Sequence, residues 1–521
     1  MKKYLKFLWL ILIIIAIIFC FKNLKMIKFY YLSFLNSNQQ ITFSIFNKTI
    51  TNDAFFSIPI GERILKEGIT KIDNLTWHEN LKFTNDRWLF DIFIYKIYDL
   101  FSINGIVYFI SIMTIVIGIT LFLILKSRGI NNILAIIFTL TAVYLSRNMF
   151  HARAQIISFW LFMLEFIFIE KLLETNKKVY KIFLVIIPIL IANIHASVFL
   201  ISIVIYLPYV VEAVLVFLKT KLENKKNKFK TILYSILDKF EIEKRENTKS
   251  LFILFIITLF SGLITPIGLA PYISLIKAMD GVSTTFIGEL QASTIYNNKM
   301  FYIIFVISFI IAILPKIKVK IVDMFFILGF AIMTIKAYRS VYFFYLIGMV
   351  SVARILMQLI NTYKIDINQK IAQICISISF AIVAITLYSE SFFLYQSQGV
   401  VDESIYPVKA SNYILENIDI ANMRIYNDFN WGSYLEFMGI KAFIDSRSGM
   451  FCSEFNSGVT ILEDWLKISN EEIDYNEAFD KYKITHVLVR NVENLNEKIG
   501  KDNLWQKIYN DKNFTLYEKT V

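Results

Sequence analysis

The chain has 521 residues, 56% of them hydrophobic and only 18% charged, with a mean hydropathy of +0.56, a balance that excludes an ordinary soluble protein. The three cysteines, Cys20, Cys375 and Cys452, are far apart, which excludes a disulfide framework and gives no zinc spacing. The net charge of +12 invites a nucleic-acid partner, but much of the excess sits in short connectors between apolar runs, where it sets membrane topology, so no nucleic acid is expected.

From the N-terminus, the basic start MKKYLK precedes an apolar run at 9–21, the pattern of a signal peptide. No small-residue cleavage site follows Cys20, so a retained first span is expected. The polar segment 22–88 comes next and is far longer than the other connectors. It carries Asp53, Glu62, Asp73, His78, Glu79, Asp86 and Arg87 among apolar residues such as Phe55, Phe56, Ile64, Trp77 and Trp88. Structureless connections much beyond ~12–15 residues are usually functional or disordered, and this mixture suits a segment lying on a membrane surface. It reads as the active-site loop of a membrane enzyme; a solvated, weakly ordered loop is the alternative.

An apolar, aromatic helix is expected at 88–101, half-embedded, with Asp91 and Asp99 on it. Apolar runs follow at about 104–125, 130–146, 155–171, 180–194, 197–218, 250–267, 300–314, 321–335, 340–360 and 371–388. Each approaches the ~20 residues that cross a bilayer. With the first run, this predicts a mainly α protein, a polytopic helix bundle of about eleven spans over 1–389. Lys and Arg crowd the segments 1–6, 126–128, 171–181, 219–249, 316–320 and 364–370, which are therefore expected inside. The opposite segments are poorer in them, so 22–88 and everything after about 390 are expected outside the cytoplasm. The basic stretch 219–249 speaks for topology, and less for anionic lipid.

The tail, 390–521, is more polar. "NMRIYND", "KAFIDSR", "THVLVR" and "FTLYEK" look like strands, and "WGSYLEFMG", "NEAFDKYK" and "LWQKIYND" like helices. The alternation predicts a small extracytoplasmic α/β domain with a largely parallel sheet.

Charges at the outer ends of spans carry the most information, because a charged side chain costs ~2.5–3.5 kcal/mol at the bilayer centre by insertion scales and so usually serves a pathway or a ligand. Arg147, His151 and Arg153 share one outer turn, Asn193 and His195 the next, Glu289 lies in the loop "STTFIGELQASTIY", and Lys336 and Arg339 lie in "TIKAYRSVYFF". The plain reading is that each snorkels to water. As a set they favour a site, since basic residues are disfavoured on that side.

The segments "TNDAFFSIPIGERILKEG…NDRWLFDIFIY", "RNMFHARAQIISF", "IANIHASVFL", "LITPIGLAPYISLI…FIGELQ", "AYRSVYFF" and "YNDFNWGSYLEFMGIKAFIDSRSGMF" occur in an order that resembles multi-span bacterial proteins of the glycosyltransferase C superfamily. Those proteins are distant relatives of protein O-mannosyltransferases and the aminoarabinose transferase, and the likeness covers nearly the whole chain. The resemblance implies transfer of a sugar from a polyprenyl-phosphate donor at the outer face of the cell membrane. It also implies an acidic residue in the first external loop as base or metal partner, with basic residues holding the phosphate. Asp53 matches the first acidic position of that loop, and Asp73 is the second catalytic candidate. Arg87 stands where relatives often carry His or Glu before Trp-Leu, and Asn52 stands beside Asp53 where some relatives pair two acids. "NIHAS" matches an Asn-x-His motif through His195, and "FIDSR" a tail motif through Asp445 and Arg447, read as a structural pair that orders the next loop. Arg87, Arg147, Arg153, His195, Glu289 and Arg339 are the substrate-binding candidates. A divalent metal ion could share the work at the phosphate, although no cluster with metal-ligand spacing is visible.

Two other readings compete. A transporter or flippase for a lipid-linked glycan would use the same basic face, but neither an internal repeat nor mid-span ion pairs are found. A non-catalytic envelope assembly protein would present the tail outside and keep a degenerate loop.

Overall fold

The computed structural model describes residues 50–222, 240–280, 287–365 and 401–520. The expected spans at 9–21 and 371–388 lie outside the described residues.

The polar segment before the bundle is more ordered than a surface loop. Its first part is a helix, α1 (Asn52–Glu67). Thr51 enters it with extended backbone, Asp53 lies in the first turn and Lys66 in the last, as the helix dipole favours. Gly68, at φ 82°, ends it. Ala54, Phe55, Ile58 and Ile60 are buried along its length. Gly61 permits a close approach to the next helix: a Cβ there would lie 2.1 Å from the Asp91 carbonyl oxygen.

That next helix, α2 (Trp88–Ser127), is broken at Ser102 (φ 53°, ψ −160°), so the expected division between 88–101 and 104–125 exists as a kink. Then follow α3 (Asn132–Ser146), α4 (Ala154–Thr175), α5 (Lys178–Ile194), α6 (Leu200–Leu222), β1 (Phe240–Glu241), α7 (Thr248–Ser261), α8 (Ala270–Asp280), α9 (Lys299–Ala312), β2 (Val319–Lys320) and α10 (Ile321–Lys336). The bundle's last described helix is α11 (Tyr338–Thr362), with a π-helical stretch at Phe344–Gly348. The apolar runs expected between 104 and 360 all contain helix, and α8 is an addition to them. Among the described residues, four helices, α2, α11, the one at Asn132–Met149 and the one at Ala196–Lys221, are long and apolar enough to cross a membrane. Large apolar side chains such as Ile112, Leu123, Phe217 and Phe260 stand exposed on the outside of the bundle, as lipid-facing residues do. The chain is a membrane protein.

The C-terminal part contains α12 (Val408–Asn417), β3 (Ile425–Tyr426), α13 (Gly432–Phe437), α14 (Ile461–Ser469), α15 (Tyr475–Tyr482), β4 (His486–Arg490), α16 (Asn494–Ile499), β5 (Trp505–Asn510) and β6 (Phe514–Lys519). The sheet order is β3-β4-β6-β5, with β3 parallel to β4 and the other pairs antiparallel. This corrects three expectations. "LWQKIYND" is a strand, because Asp511 accepts bonds from the Asn513 and Phe514 amides (2.7 and 2.8 Å) and so closes a hairpin with "FTLYEK". The sheet is consequently mixed. "KAFIDSR" forms no strand of its own; Ala442 makes one isolated bridge, to Thr76.

Alternation along β4 and β6 joins the two parts. Leu488, Phe514 and Leu516 belong to the apolar core of the bundle, while Val487, Val489 and Tyr517 belong to a second core with Phe443, Phe479 and Trp465. Phe55 of α1 meets the rings of Tyr406 and Tyr434 edge-on at 4.9 and 5.0 Å. The segment between α1 and α2 is tied to the C-terminal part as well: Trp77 Nε1 donates to Ile425 O (3.0 Å), and the Asn456 side-chain amide donates to Lys82 O (2.8 Å).

Candidate active site

Helix ends, rather than mid-helix positions, build the site. The first turn of α1 carries Asp53, Arg87 precedes α2, Arg153 precedes α4, His195 follows α5, and Arg339 lies at the start of α11. Main-chain bonds fix these ends to one another. The Ala196 amide donates to Asp86 O (2.9 Å), Tyr338 to Gln291 O (2.8 Å) and Arg339 to Glu289 O (2.9 Å). The Asn193 side chain accepts from Trp88 Nε1 (3.1 Å) and donates to Ile264 O (2.9 Å).

The result is a cavity of about 690 Å³. Asp53, Arg87, Arg153, His195, Glu289 and Arg339 all line it, so the structure brings most of the expected site residues together. Asn430, Ser446, Arg447, Ser448 and Asn456 of the C-terminal part form another wall.

Asp53 is the electrostatic centre. Its Oδ1 accepts from Arg87 Nη1 (3.1 Å), and its Oδ2 lies 2.5 Å from Arg153 Nε. The Arg153 Nε–H is not directed at that oxygen, so this second contact is a charge contact and not an aligned hydrogen bond. Arg153 Nη1 also donates to both Glu289 oxygens (2.9 and 3.1 Å). Burial pushes the Asp53 carboxyl up, but Arg153 and Arg87 outweigh it and hold the group below the usual range, so it is ionised. Burial raises Asp86 instead, against the pull of Arg87.

Arg87 stacks on Phe56, its guanidinium 4.4 Å from the ring centre. The Arg339 side chain makes no hydrogen bond or ion pair among the described residues; its neighbouring charges are Glu289, Asp53 and Arg153. His195 is held neutral, well below its ordinary value, by burial and then by Arg87 and Arg339. Ser158 Oγ lies 3.0 Å from Ala154 O and 3.1 Å from His195 Nδ1. With the hydroxyl donating to the carbonyl, Nδ1 is the protonated nitrogen and Nε2 an acceptor.

Two candidates lie off the cavity wall. Asp73, expected as the second catalytic carboxylate, spends both oxygens elsewhere: Oδ1 on Arg447 Nη1 (2.6 Å), Oδ2 on the Thr76 amide and hydroxyl (both 2.8 Å). Arg147 folds back on its own helix end, donating to Tyr144 O (3.1 Å) with its guanidinium over the Tyr144 ring. The Asp445–Arg447 pair is part of a larger cluster, since Arg447 also bonds Glu436 Oε1 (2.7 Å). Sequence reasoning missed Glu436; a glutamate beside Leu435 in the short helix "WGSYLEF" was the available signal. Among the described residues no three His, Cys, Asp or Glu side chains are grouped to hold a metal ion.

No protein-family model matches the chain, and no curated protein matches it. Among solved structures, it aligns with the oligosaccharyltransferase of Archaeoglobus fulgidus in the apo form at 11% identity and a TM-score of 0.49, covering 86% of this chain and 67% of that one. It aligns with ArnT from Cupriavidus metallidurans bound to undecaprenyl phosphate at 8% identity and a TM-score of 0.49, covering 91% and 94%. Both alignments are of low identity and low TM-score, and the chain's likeness to glycosyltransferase C proteins is a distant one.

Proposed function

We propose that this chain is a membrane glycosyltransferase that transfers a sugar from a polyprenyl-phosphate donor to a hydroxyl of an acceptor outside the cytoplasm. The observation that carries this reading is the convergence of Arg87, Arg153 and Arg339 on one cavity with the carboxylate of Asp53, at one end of an apolar bundle. Arginine suits a phosphate because its planar fork donates parallel hydrogen bonds. An apolar bundle suits a ligand whose other half is a hydrocarbon chain.

In the reaction, the acceptor oxygen attacks the anomeric carbon and its proton passes to the Asp53 carboxylate. The bond from that carbon to the phosphate oxygen breaks, its electron pair leaving with polyprenyl phosphate. Arg87, Arg153 and Arg339 stabilise the charge that grows on the leaving phosphate. His195 Nε2, an acceptor, orients the incoming hydroxyl. The split of Lys and Arg along the chain supports a cavity that opens outside the cytoplasm.

The test is release of polyprenyl phosphate when the purified protein in lipid meets a panel of polyprenyl-phosphate sugars. General-base help is typically worth ~10²–10⁴-fold, so Asp53→Asn should lower turnover by that factor. Full activity in a folded Asp53→Asn protein removes Asp53 from the chemistry.

A further inference from the structure

Asp53 and Glu289 occupy the very donors that a phosphate would need. Arg87 Nη1 donates to Asp53 Oδ1, Arg153 Nε lies in charge contact with Asp53 Oδ2, and Arg153 Nη1 donates to both Glu289 oxygens. A carboxylate held between two guanidiniums is a poor base, and a guanidinium held by two carboxylates is a poor phosphate ligand. The contact at Arg153 Nε is short but misaligned, which makes it the weakest point of the set. Arg339 is the guanidinium on the wall whose side chain has no hydrogen bond or ion pair among the described residues, and so the first available to an anion.

We propose that the cavity works by anion exchange: the donor's phosphate lands on Arg339, displaces Asp53 from Arg153, and thereby frees the carboxylate to act as base. This rests on the glycosyltransferase reading and adds an order of events to it. Donor must precede acceptor, because an acceptor that arrives first meets a carboxylate already committed to arginine. The exchange also runs backwards after transfer. The donor phosphate is a diester with one negative charge, and the released polyprenyl phosphate is a monoester that carries up to two. Left alone, the arginines would hold this product more tightly than the donor. Asp53, having taken the acceptor's proton, loses it to water, regains its charge and competes for Arg87 and Arg153, so the product is expelled by the group that made it.

The exchange predicts that removing a competing carboxylate tightens binding of the product. The full chain in lipid nanodiscs is titrated with polyprenyl monophosphate, and the dissociation constant is measured for wild type, Asp53→Asn, Glu289→Gln and Arg339→Ala. Asp53→Asn should bind about tenfold more tightly, the order of one charge-assisted hydrogen bond returned to the ligand. Glu289→Gln should shift the same way, and Arg339→Ala should bind more weakly. If Asp53→Asn binds equally or less tightly while Arg339→Ala still loses affinity, exchange is refuted and the glycosyltransferase reading stands. If wild type does not bind polyprenyl phosphate, both fall. Should Asp53→Asn not fold, Glu289→Gln decides, and unchanged or weaker binding there overturns the proposal.

Discussion

Replacing Arg447 by methionine would test what joins the C-terminal part to the start of the chain. Its guanidinium is 3% exposed and contacts Asp73, Glu436 and Asp445, whose side chains are wholly buried. Burial pushes the Glu436 carboxyl well above the usual range, against the pull of Arg447 and with that of Asp445. Asp73 is held low despite its burial by Arg447 and the Thr76 amide, and is ionised. Methionine fills the volume and removes the countercharge, leaving buried carboxylates unpaired. Breaking a buried ion pair in this way costs about 3–5 kcal/mol, a large part of the ~5–15 kcal/mol that a folded protein has. Urea unfolding in detergent micelles, followed by the fluorescence of Trp77, Trp431, Trp465 and Trp505, measures the loss. Adding Asp73→Asn and Asp445→Asn to the variant should recover most of it, since the neutral set no longer needs the cation. Arg447→Lys should not, because one ammonium cannot reach all these carboxylates at once. An Arg447→Met protein within about 0.5 kcal/mol of wild type, the scatter of ordinary surface changes, would refute the view that this cluster is what holds the segment.

Gly61→Ala should destabilise the fold by about 1–3 kcal/mol and lower turnover, because its Cβ meets the Asp91 carbonyl at 2.1 Å and would push α1, with Asp53, off α2; thermal unfolding and activity check both. His78 donates from Nε2 to Phe443 O (2.8 Å), and burial holds it at about 4. Between pH 6.5 and 4 the unfolded chain therefore binds a proton that the folded chain refuses, so stability is complete above 6.5 and falls as the pH drops through that window, by up to about 3 kcal/mol. Urea titrations across that range in wild type and His78→Gln check it, the variant showing the flatter profile. With the three native cysteines replaced by serine, Asn470→Cys should react with a membrane-impermeant thiol reagent on intact cells and Lys316→Cys should not; the reverse result inverts the topology.

The bundle was legible because lipid-facing and core positions are both apolar, so runs such as 155–171 and 321–335 stand out without any partner. The cavity's charged residues were legible for the complementary reason: Arg153 and Arg339 sit at helix ends among connectors that carry few other basic residues. What stayed hidden depends on contacts remote in sequence. Asp73 resembles a free loop carboxylate until Arg447, 374 positions away, is placed against it. Helix α1 was obscured by its interior Pro59 and by charges at Glu62, Arg63 and Lys66 among its apolar residues. "LWQKIYND" spaces Leu504, Trp505, Ile508 and Tyr509 as a helix would, and only the Asp511 turn makes it a strand.

The two ends of the bundle treat charge differently, and the difference says where ligand chemistry belongs. At the end opposite the cavity, about 24 Å along α4 from Ala154 at 1.5 Å per residue, Glu170 meets Arg128 Nη1 at 2.7 Å and accepts from the Tyr209 hydroxyl at 2.7 Å. Around it Arg245 pairs with Glu212 (2.8 Å), Arg354 with Asp323 (2.9 Å) and Lys320 with Glu243 (3.0 Å). Each of these cations has a carboxylate within hydrogen-bond reach, so the network ties α2, α4, α6, α10 and α11 together. Desolvating such charges is costly, and mutual pairing is what offsets it. The cavity end departs from that rule at the Arg339 guanidinium, whose side chain has no hydrogen bond or ion pair among the described residues. A buried end where each cation meets a carboxylate is a clamp. One that leaves a guanidinium without a carboxylate partner, on helices clamped at their far ends, is preorganised for an anion, whose arrival would lower its desolvation cost.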